Sequence, residues 1–261
     1  MSWPELRLSL LPQAMQLTLA ADGVQMQALD LFGRAVLPPH KLPLPAAVEG
    51  QPIWQPWLEA LREWLSVRPQ QKFAWHVQLS DRFVHYQQLP WRPGIVAPRE
   101  RLAYAGHRFR EVFGDAAAHW QIALADTAPG ASGLACGVDG ELLAGLRSFG
   151  KQVKLVSVQP VFIAAYNRRR RQCKGRQFLF AHVEPGRVCM ALFKSGQSAG
   201  VRNEASTESW PQALVGIQRR LQMLDASEAA ACPIYVSGDL QGIPVPHLLG
   251  SAPVHVLGAA A

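Results

Sequence analysis

The stretch FLFAHVEPGRVCMALFKSG, residues 178–196, decides the fold class of this sequence. Two apolar runs flank a tip made of Glu184, Pro185, Gly186 and Arg187. A proline followed by a glycine between two apolar runs predicts a tight hairpin of two β-strands. Such a tip cradles a phosphate in some nucleotide-binding folds, and in others it only connects two strands. The residues around the hairpin have to decide between these roles.

The residues that follow the hairpin complete a unit of three strands, one helix and one further strand. A third strand is expected at residues 199–203, and an apolar strand is expected at residues 234–236. Between them, apolar residues recur at three- and four-residue spacing, which predicts a helix. These residues are Leu214, Ile217, Leu221 and Leu224. The predicted order of elements is therefore βββαβ.

The first third of the sequence predicts the same order. Apolar residues alternate over residues 6–10, 15–19 and 24–31, which indicates three strands. A proline-rich connector spans residues 37–52, and a strand is expected at residues 73–79. Between them lies a helix with one apolar stripe, formed by Trp54, Trp57, Leu58, Leu61, Trp64 and Leu65. A duplicated βββαβ unit implies two similar lobes with a cleft between them.

The middle of the chain predicts shorter elements. A helix is expected to begin at Pro98 and to end at Gly114. Its apolar face is expected to consist of Leu102, Ala105, Phe109 and Val112. Strands are expected at residues 82–89, 120–125, 133–138 and 153–158, and further helices at residues 140–149 and from Pro160.

Three features of residues 79–124 occur together in a recognisable order. They are a strand ending in Leu89-Pro90-Trp91, a helix bearing Arg108 and Glu111, and a strand carrying Trp120. In this order they resemble the actin-like cytoplasmic proteins of type IV pilus and type II secretion assembly platforms, the PilM and GspL group. The next residues, CGVDGELLAGLRSFGKQVKLVSVQPVFIAAYN, follow that group's order of strand, helix, strand and proline-started helix. The resemblance covers roughly residues 75–240.

The resemblance implies an α/β protein with the actin-like, ribonuclease H-like fold, in which each of two lobes contains one βββαβ unit. It places the first lobe at residues 1–165, with a small inserted subdomain at about residues 82–138, and the second lobe at residues 166–261. PilM-like members resemble nucleotide-binding actins and hold the cytoplasmic tail of a membrane partner. GspL-like members have largely lost the nucleotide machinery and contact the assembly ATPase.

The termini and the apolar runs favour the PilM arrangement. No apolar run reaches the length of about 18 residues that a membrane span needs, and the first residues lack the features of a signal peptide. We therefore expect a cytoplasmic protein located at the inner face of the inner membrane.

An actin-like ATPase carries Asp-x-Gly and then Ser or Thr in two phosphate hairpins, and two glycines in a late adenosine turn. The first hairpin is expected near residues 10–15, which contain no Asp, Gly or hydroxyl. The second is expected at residues 183–189, where Gly186 remains but Pro185 removes a backbone donor. In the late turn Gly238 remains and is followed by Asp239. We expect a degenerate, non-hydrolysing site with no cofactor, in which Gly186 and Gly238 are remnants.

The leading functional hypothesis is a non-enzymatic scaffold. It would bind the cytoplasmic tail of a PilN-like inner-membrane protein, or the assembly ATPase, in a groove lined by the inserted subdomain. The helix that carries Arg101, Arg108 and Arg110 is the exposed basic candidate for this contact. The alternative hypothesis is a nucleotide-binding actin-like ATPase of pilus biogenesis.

Charge and cysteine content bear on nucleic-acid binding, on metal or disulfide sites, and on zinc-deaminase chemistry. The net charge of +7 makes nucleic acid or an anionic membrane a partner to consider. The basic residues are dispersed apart from residues 168–171, a run that is typical of a solvated helix end, so we expect no nucleic-acid binding. The cysteines have no metal-binding spacing, so we expect neither a metal site nor a disulfide framework. His182 and Glu184 match part of a zinc-deaminase motif, but the cysteines that it needs are absent.

Overall fold

The structure is a computed structural model, and it describes residues 14–30, 32–46, 48–67, 74–125, 128–224, 232–240, 242–249 and 251–258. Within these ranges the chain forms five α-helices: α1 (Gln55–Ser66), α2 (Pro98–Phe113), α3 (Gly140–Ser148), α4 (Val161–Arg169) and α5 (Trp210–Leu224). The strands are β1 (Ala14–Ala20), β2 (Gly23–Leu29), β3 (His40–Leu42), β4 (Ala74–Leu79), β5 (Val84–Leu89), β6 (Trp120–Leu124), β7 (Gly133–Asp139), β8 (Lys154–Pro160), β9 (Gln177–Glu184), β10 (Arg187–Lys194), β11 (Gln197–Ala205), β12 (Ile234–Gly238), β13 (Leu248–Leu249) and β14 (Ala252–Val256). None of the described helices combines the length and the apolarity that a membrane crossing requires.

Two of the three sheets repeat one arrangement of strands. The order is β3-β2-β1-β4-β8 in the first and β11-β10-β9-β12-β14-β13 in the second. In each sheet three strands form an antiparallel meander, and the strand after the helix lies parallel to the first strand of that meander. The predicted duplication is therefore present as β1-β2-β3-α1-β4 and β9-β10-β11-α5-β12.

The hydrogen-bond register aligns these two repeats residue by residue. The amide nitrogen of Ser80 donates to the carbonyl oxygen of Leu19 over 2.9 Å, directly after the parallel pairing of β4 with β1 ends. The amide nitrogen of Asp239 donates to the carbonyl oxygen of Val183 over the same distance, where the pairing of β12 with β9 ends. Leu19 of the first repeat therefore corresponds to Val183 of the second.

The second large sheet is covered by a helix on each face. On one face, Leu214, Ile217 and Leu221 of α5 pack against the sheet in a core cluster. On the other face, the ring centroids of Phe162 and Phe180 lie 5.6 Å apart, and Tyr166 of α4 stacks on Phe193 at 4.1 Å. Coverage on both faces explains why β9 and β10 are nearly continuous apolar runs rather than alternating ones.

The third sheet has the order β5-β7-β6 and carries α2 on one face. Ala105 and Phe109 of this helix are fully buried. Gly137 lies beneath two aromatic rings, because a Cβ atom at this position would lie 2.8 Å from Phe109 and 3.1 Å from Trp120. This glycine is required by the close packing of the rings on β7.

The chain divides into two compact units. Unit 1 consists of Met1–Phe83 and Gly140–Val161, and unit 2 consists of Val84–Asp139 and Phe162–Ala261. The third sheet therefore belongs to the same unit as the second large sheet. The predicted lobe boundaries, residues 1–165 and 166–261, concern the division of an actin-like fold and stay a prediction.

Most of the predicted elements are observed within a few residues of their expected ends. The helix predicted from Pro98 to Gly114 forms, with the Gly114 backbone at a φ of 65° after its last turn. The tryptophan-rich stripe of α1 is core, as expected; its buried members are Trp54, Trp57, Leu58, Leu61 and Leu65.

Three expectations about these elements need correction or fall outside the structure. The third strand of the first meander is His40–Leu42, inside the proline-rich connector, rather than residues 24–31. The face predicted for α2 is narrower than expected, because Leu102 is 44% exposed and Val112 is 53% exposed. The predicted strand at residues 6–10 lies outside the described residues.

Candidate functional site

The turn between β9 and β10 is a two-residue loop. Glu184 pairs with Arg187 across the hairpin, which leaves Pro185 and Gly186 as the connecting residues. Gly186 has a φ of 70°, the left-handed value that the third position of a type II turn requires after proline. Its carbonyl oxygen accepts a hydrogen bond from the amide nitrogen of Ser206 over 3.0 Å. The conformation of the turn is therefore accounted for by its own sequence.

Gly238 ends β12 beside this hairpin, and its Cα faces the backbone of Val183 on β9. It has a φ of 109°, and a Cβ atom on it would lie 2.1 Å from the carbonyl oxygen of Val183. No side chain fits into that space, so glycine is required here by the packing of β12 on β9. The next residue, Asp239, makes the backbone bond to Val183 that ends the pairing.

A polar pair lies between the same two strands. Nδ1 of His182 and the hydroxyl oxygen of Ser237 are 3.0 Å apart, and Ser237 is 1% exposed. Burial, together with the smaller effect of the positive charges of Arg169 and Arg168, lowers the pKa of His182 to about 4. The imidazole is therefore neutral at pH 7.

The turn between β1 and β2 occupies the corresponding place in unit 1. Ala20 pairs with Gly23, which leaves Ala21 and Asp22 as the two connecting residues. The carboxylate of Asp22 forms an ion pair with the ammonium group of Lys41 on the neighbouring strand β3. Both partners are about half exposed, at 55% and 49%.

Two long side chains bind the carbonyl oxygens of this unit 1 turn. The indole nitrogen of Trp57 donates to the carbonyl oxygen of Ala20 over 2.7 Å. The guanidinium group of Arg82 donates to the carbonyl oxygen of Ala21 over 3.1 Å, and it lies 5.9 Å from the Trp57 ring. The turn is thus held by groups from α1 and from the short 3-10 turn that follows β4.

The three predicted partner-binding arginines do not form one basic face. An α-helix turns by about 100° per residue, so Arg101 and Arg108 lie within about 20° of each other and Arg110 lies on the opposite side of α2. Arg108 forms an ion pair with Glu111, which also lies 3.0 Å from the ring nitrogen of His107. Arg110 is exposed, whereas Arg101 is partly buried.

Arg101 lines a small depression near the motif Leu89-Pro90-Trp91. Trp91, Arg92 and Tyr104 also line it, and its volume of about 20 Å³ suits a single water-sized group. The guanidinium carbon of Arg92 lies 6.0 Å from the centre of the Tyr104 ring. Among the described residues, no group of three or more His, Cys, Asp or Glu side chains is placed to hold a metal ion.

Several solved structures have a similar fold over most of the length of this chain. The cytoplasmic domain of EpsL, an inner membrane component of the type II secretion system of Vibrio cholerae, matches with a TM-score of 0.58 and 13% identity, over 94% of this chain and 90% of that one. A Bacteroides thetaiotaomicron protein with an actin-like ATPase fold and unknown function matches with a TM-score of 0.57 and 8% identity, over 93% and 87%. The chain has the actin-like fold.

A third actin-like match comes from a complex. The PilM–PilN type IV pilus biogenesis complex matches with a TM-score of 0.56 and 15% identity, over 88% of this chain and 83% of that one. The predicted fold class is confirmed, and the resemblance to the PilM and GspL group is confirmed at the level of the fold. No protein-family model and no curated protein matches the sequence.

The actin-like topology corrects the predicted position of the first phosphate hairpin. The hairpin that corresponds to residues 183–189 is the turn at Ala21 and Asp22, because β1 and β9 hold the same place in their sheets. The predicted position near residues 10–15 was therefore one strand too early. The observed turn contains Asp22 and Gly23, although it lacks a hydroxyl residue.

Several contacts at both hairpins leave no signal in the sequence. Trp57 and Arg82 reach the unit 1 turn across 37 and 61 residues of sequence, and His182 reaches Ser237 across 55. No local pattern signals such contacts, because they depend on which strands become neighbours. Gly238 pairs with Val183 beside the hairpin that contains Gly186, and the roles of both glycines as nucleotide remnants stay a prediction.

Proposed function

We propose that this protein is a non-enzymatic scaffold of a type IV pilus or type II secretion assembly platform. It works in the cytoplasm at the inner face of the inner membrane and binds the cytoplasmic tail of a PilN-like membrane protein. The observation that carries the proposal is the likeness of fold to EpsL and to PilM in its complex with PilN, over 94% and 88% of the chain.

The chemistry of the two hairpins supports the absence of ATP turnover. The residues fit Mg-ATP poorly, because neither turn has the Ser or Thr that follows glycine in the phosphate hairpins of actin-like ATPases. Pro185 contributes no amide hydrogen to the unit 2 turn. In the unit 1 turn the carboxylate of Asp22 already pairs with Lys41, and the carbonyl oxygens of Ala20 and Ala21 already accept hydrogen bonds.

The glycines that the sequence offers as nucleotide remnants have sufficient structural reasons of their own. Gly186 supplies the left-handed φ of its turn, and Gly238 allows β12 to approach β9. Their presence therefore gives no independent support for a nucleotide. This reasoning favours a scaffold with a degenerate site.

The partner-binding proposal is tested by titrating a synthetic peptide into the purified protein. The peptide is the N-terminal cytoplasmic tail of a PilN-like protein of the same organism, and the readout is isothermal titration calorimetry. Replacing Arg101 and Arg108 by Gln is expected to weaken binding at least about tenfold, since charged contacts at protein interfaces contribute on this scale. The Arg110→Gln variant is the matched control for the opposite face of α2.

Two outcomes reject parts of this proposal. If the peptide produces no heat at concentrations up to the millimolar range, the protein does not hold such a tail. If Arg110→Gln weakens binding and the double variant does not, the contact is on the other face of the helix.

The second candidate function is a nucleotide-binding actin-like ATPase of pilus biogenesis. The observation that favours it is the presence of Asp22 and Gly23 in the corrected first hairpin, although the two residues are adjacent and do not have the Asp-x-Gly spacing. Titration with Mg-ATP distinguishes the two candidates: the scaffold proposal expects no heat of binding and no change in the thermal midpoint. A saturable signal that disappears in the Asp22→Asn variant would establish the second candidate.

A further inference from the structure

The segment after α4 concentrates exposed positive charge. We call residues 170–176 the basic loop, and its exposed cations are Arg170, Arg171, Lys174 and Arg176. No acidic residue stands between Glu141 and Glu184 in the sequence, so no acid close in sequence offsets this charge. Among the described residues, none of the four cations forms an ion pair with a carboxylate.

The backbone of the basic loop is tied to the second large sheet at several points. The hydroxyl of Tyr235 accepts a hydrogen bond from the Lys174 amide nitrogen at 2.9 Å and donates one to the Lys174 carbonyl oxygen at 3.3 Å. The Arg176 carbonyl oxygen accepts a hydrogen bond from the amide nitrogen of Ser195 in the β10–β11 turn. The main chain is therefore held in place while the cationic side chains extend into solvent.

Arg169, at the end of α4, has a different task. The guanidinium group of Arg169 donates to the carbonyl oxygens of Leu257 and Gly258 beyond the end of β14. The amide nitrogen of Gln172 donates to the Arg169 carbonyl oxygen over 2.8 Å, which closes a turn directly after the helix. Arg169 thus stabilises the start of the loop, and the surface charge comes from the residues that follow it.

We propose that the basic loop binds an anionic phospholipid surface directly. A cluster of four or more Lys and Arg residues is the usual minimum for recognising anionic lipids, and each such residue near the membrane strengthens binding by about fivefold. A loop that is already ordered loses little conformational entropy when it meets the membrane. This contact goes beyond the scaffold role, because it needs no partner protein.

The surroundings of the loop favour a lipid surface over a nucleic acid. Binding to a single-stranded nucleic acid draws on exposed aromatic rings that stack with bases. The two tyrosines nearest the loop are already engaged: Tyr166 stacks on Phe193, and Tyr235 stacks on His255 and binds Lys174. The loop therefore offers charge without a stacking platform.

The test is co-sedimentation of the purified chain with two kinds of vesicle. One contains phosphatidylcholine with about a third phosphatidylglycerol, and the other contains phosphatidylcholine alone. We expect binding only to the anionic vesicles, weakening as salt rises. Replacing Arg170, Arg171, Lys174 and Arg176 by Gln is expected to reduce this binding at least about tenfold.

A second variant with the same net charge separates this site from a general effect of charge. It replaces four exposed cations elsewhere by Gln: Arg62, Arg99, Lys151 and Lys154. Retained binding in this variant supports the loop as the site, and equal loss in both variants overturns it. Absence of binding to anionic vesicles, or tighter binding to a labelled oligonucleotide or polyglutamate at the same salt, also overturns the proposal. Because no PilN-like peptide is present, none of these results depends on the proposed scaffold function.

Discussion

The two large sheets share one topology, but their first strands, β1 and β9, are buried to different extents. In strand β1 only Leu17 and Leu19 are buried, whereas β9 is buried along nearly its whole length. At corresponding positions of the two strands stand Gln16, which is partly buried, and Phe180, which is fully buried. The second sheet gains its additional apolar contacts from Phe162 and Tyr166 of α4.

This difference shows what a repeated topology does and does not fix. The meander and the parallel strand set the order and register of both sheets. The face opposite the core helix, however, is buried to a different extent in each sheet. The same holds for the hairpin turns, where Asp22 is engaged in an exposed ion pair and its counterpart Gly186 only shapes the backbone. A shared position in the fold therefore does not imply a shared chemical role.

The largest effect on stability is expected from shortening a side chain on the face of β9 that α4 covers. Phe180→Ala removes a ring in contact with Phe162 and Tyr166, and we expect a loss of about 4 kcal/mol in the free energy of unfolding. Gln16→Ala, at the corresponding position of β1, is expected to cost less than about 1 kcal/mol. Urea unfolding of both variants measures the contrast. Equal losses would show that these corresponding positions of β9 and β1 contribute equally to stability.

The features of the fold that the sequence predicts are those with a local periodicity. Apolar spacing identified α1 and α5, and proline with glycine identified the helix from Pro98 to Gly114. Strand β3 was missed because three residues between prolines are too few to show alternation. The first hairpin was placed one strand early because the alternation of apolar residues at 6–10 led this segment to be counted as the first strand of the meander.

The candidate site was less predictable than the fold for a physical reason. The contacts of Trp57, Arg82 and His182 link residues that are distant in sequence, and they exist only once the strands are paired. Likewise, Gly238 looks like a ligand-binding glycine in the sequence, and only the register reveals its close approach to Val183. Charge clusters such as the basic loop are visible in the sequence, but their anchoring to the sheet is not.

The second-largest effect on stability is expected at Gly238 of β12, and Gly186 of the neighbouring hairpin provides the comparison. Gly238→Ala places a Cβ atom against the carbonyl oxygen of Val183 at an unfavourable φ, and we expect a loss of about 3 kcal/mol. Gly186→Ala meets no backbone atom closer than 3.8 Å, so only the left-handed φ is costly, at about 1 kcal/mol. Thermal or urea unfolding provides the measurement. A greater loss in Gly186→Ala would contradict the packing role of Gly238.

A smaller effect is expected on the pH dependence of the free energy of unfolding, through His182. The pKa of His182 is about 4 in the folded chain and about 6.5 when it is unfolded. Between these values the unfolded chain binds more protons, so stability rises with pH and falls as pH drops from 6.5 towards 4. We expect His182→Gln to remove about 2 kcal/mol of this pH-dependent change. Urea titrations at several pH values measure it, with exposed His119→Gln as the control.

The smallest effect tests whether the Asp22 turn is structural or chemical. An exposed ion pair contributes about 0.2–1 kcal/mol, so a double-mutant cycle with Asp22→Asn and Lys41→Gln should give a coupling energy in that range. The coupling should shrink as salt is added, because exposed charges are screened. A magnesium-binding carboxylate would behave differently: addition of Mg-ATP would stabilise the wild-type chain and not the Asp22→Asn variant. Since the pair with Lys41 already engages the carboxylate, we expect the thermal midpoints of both proteins to be unchanged by Mg-ATP.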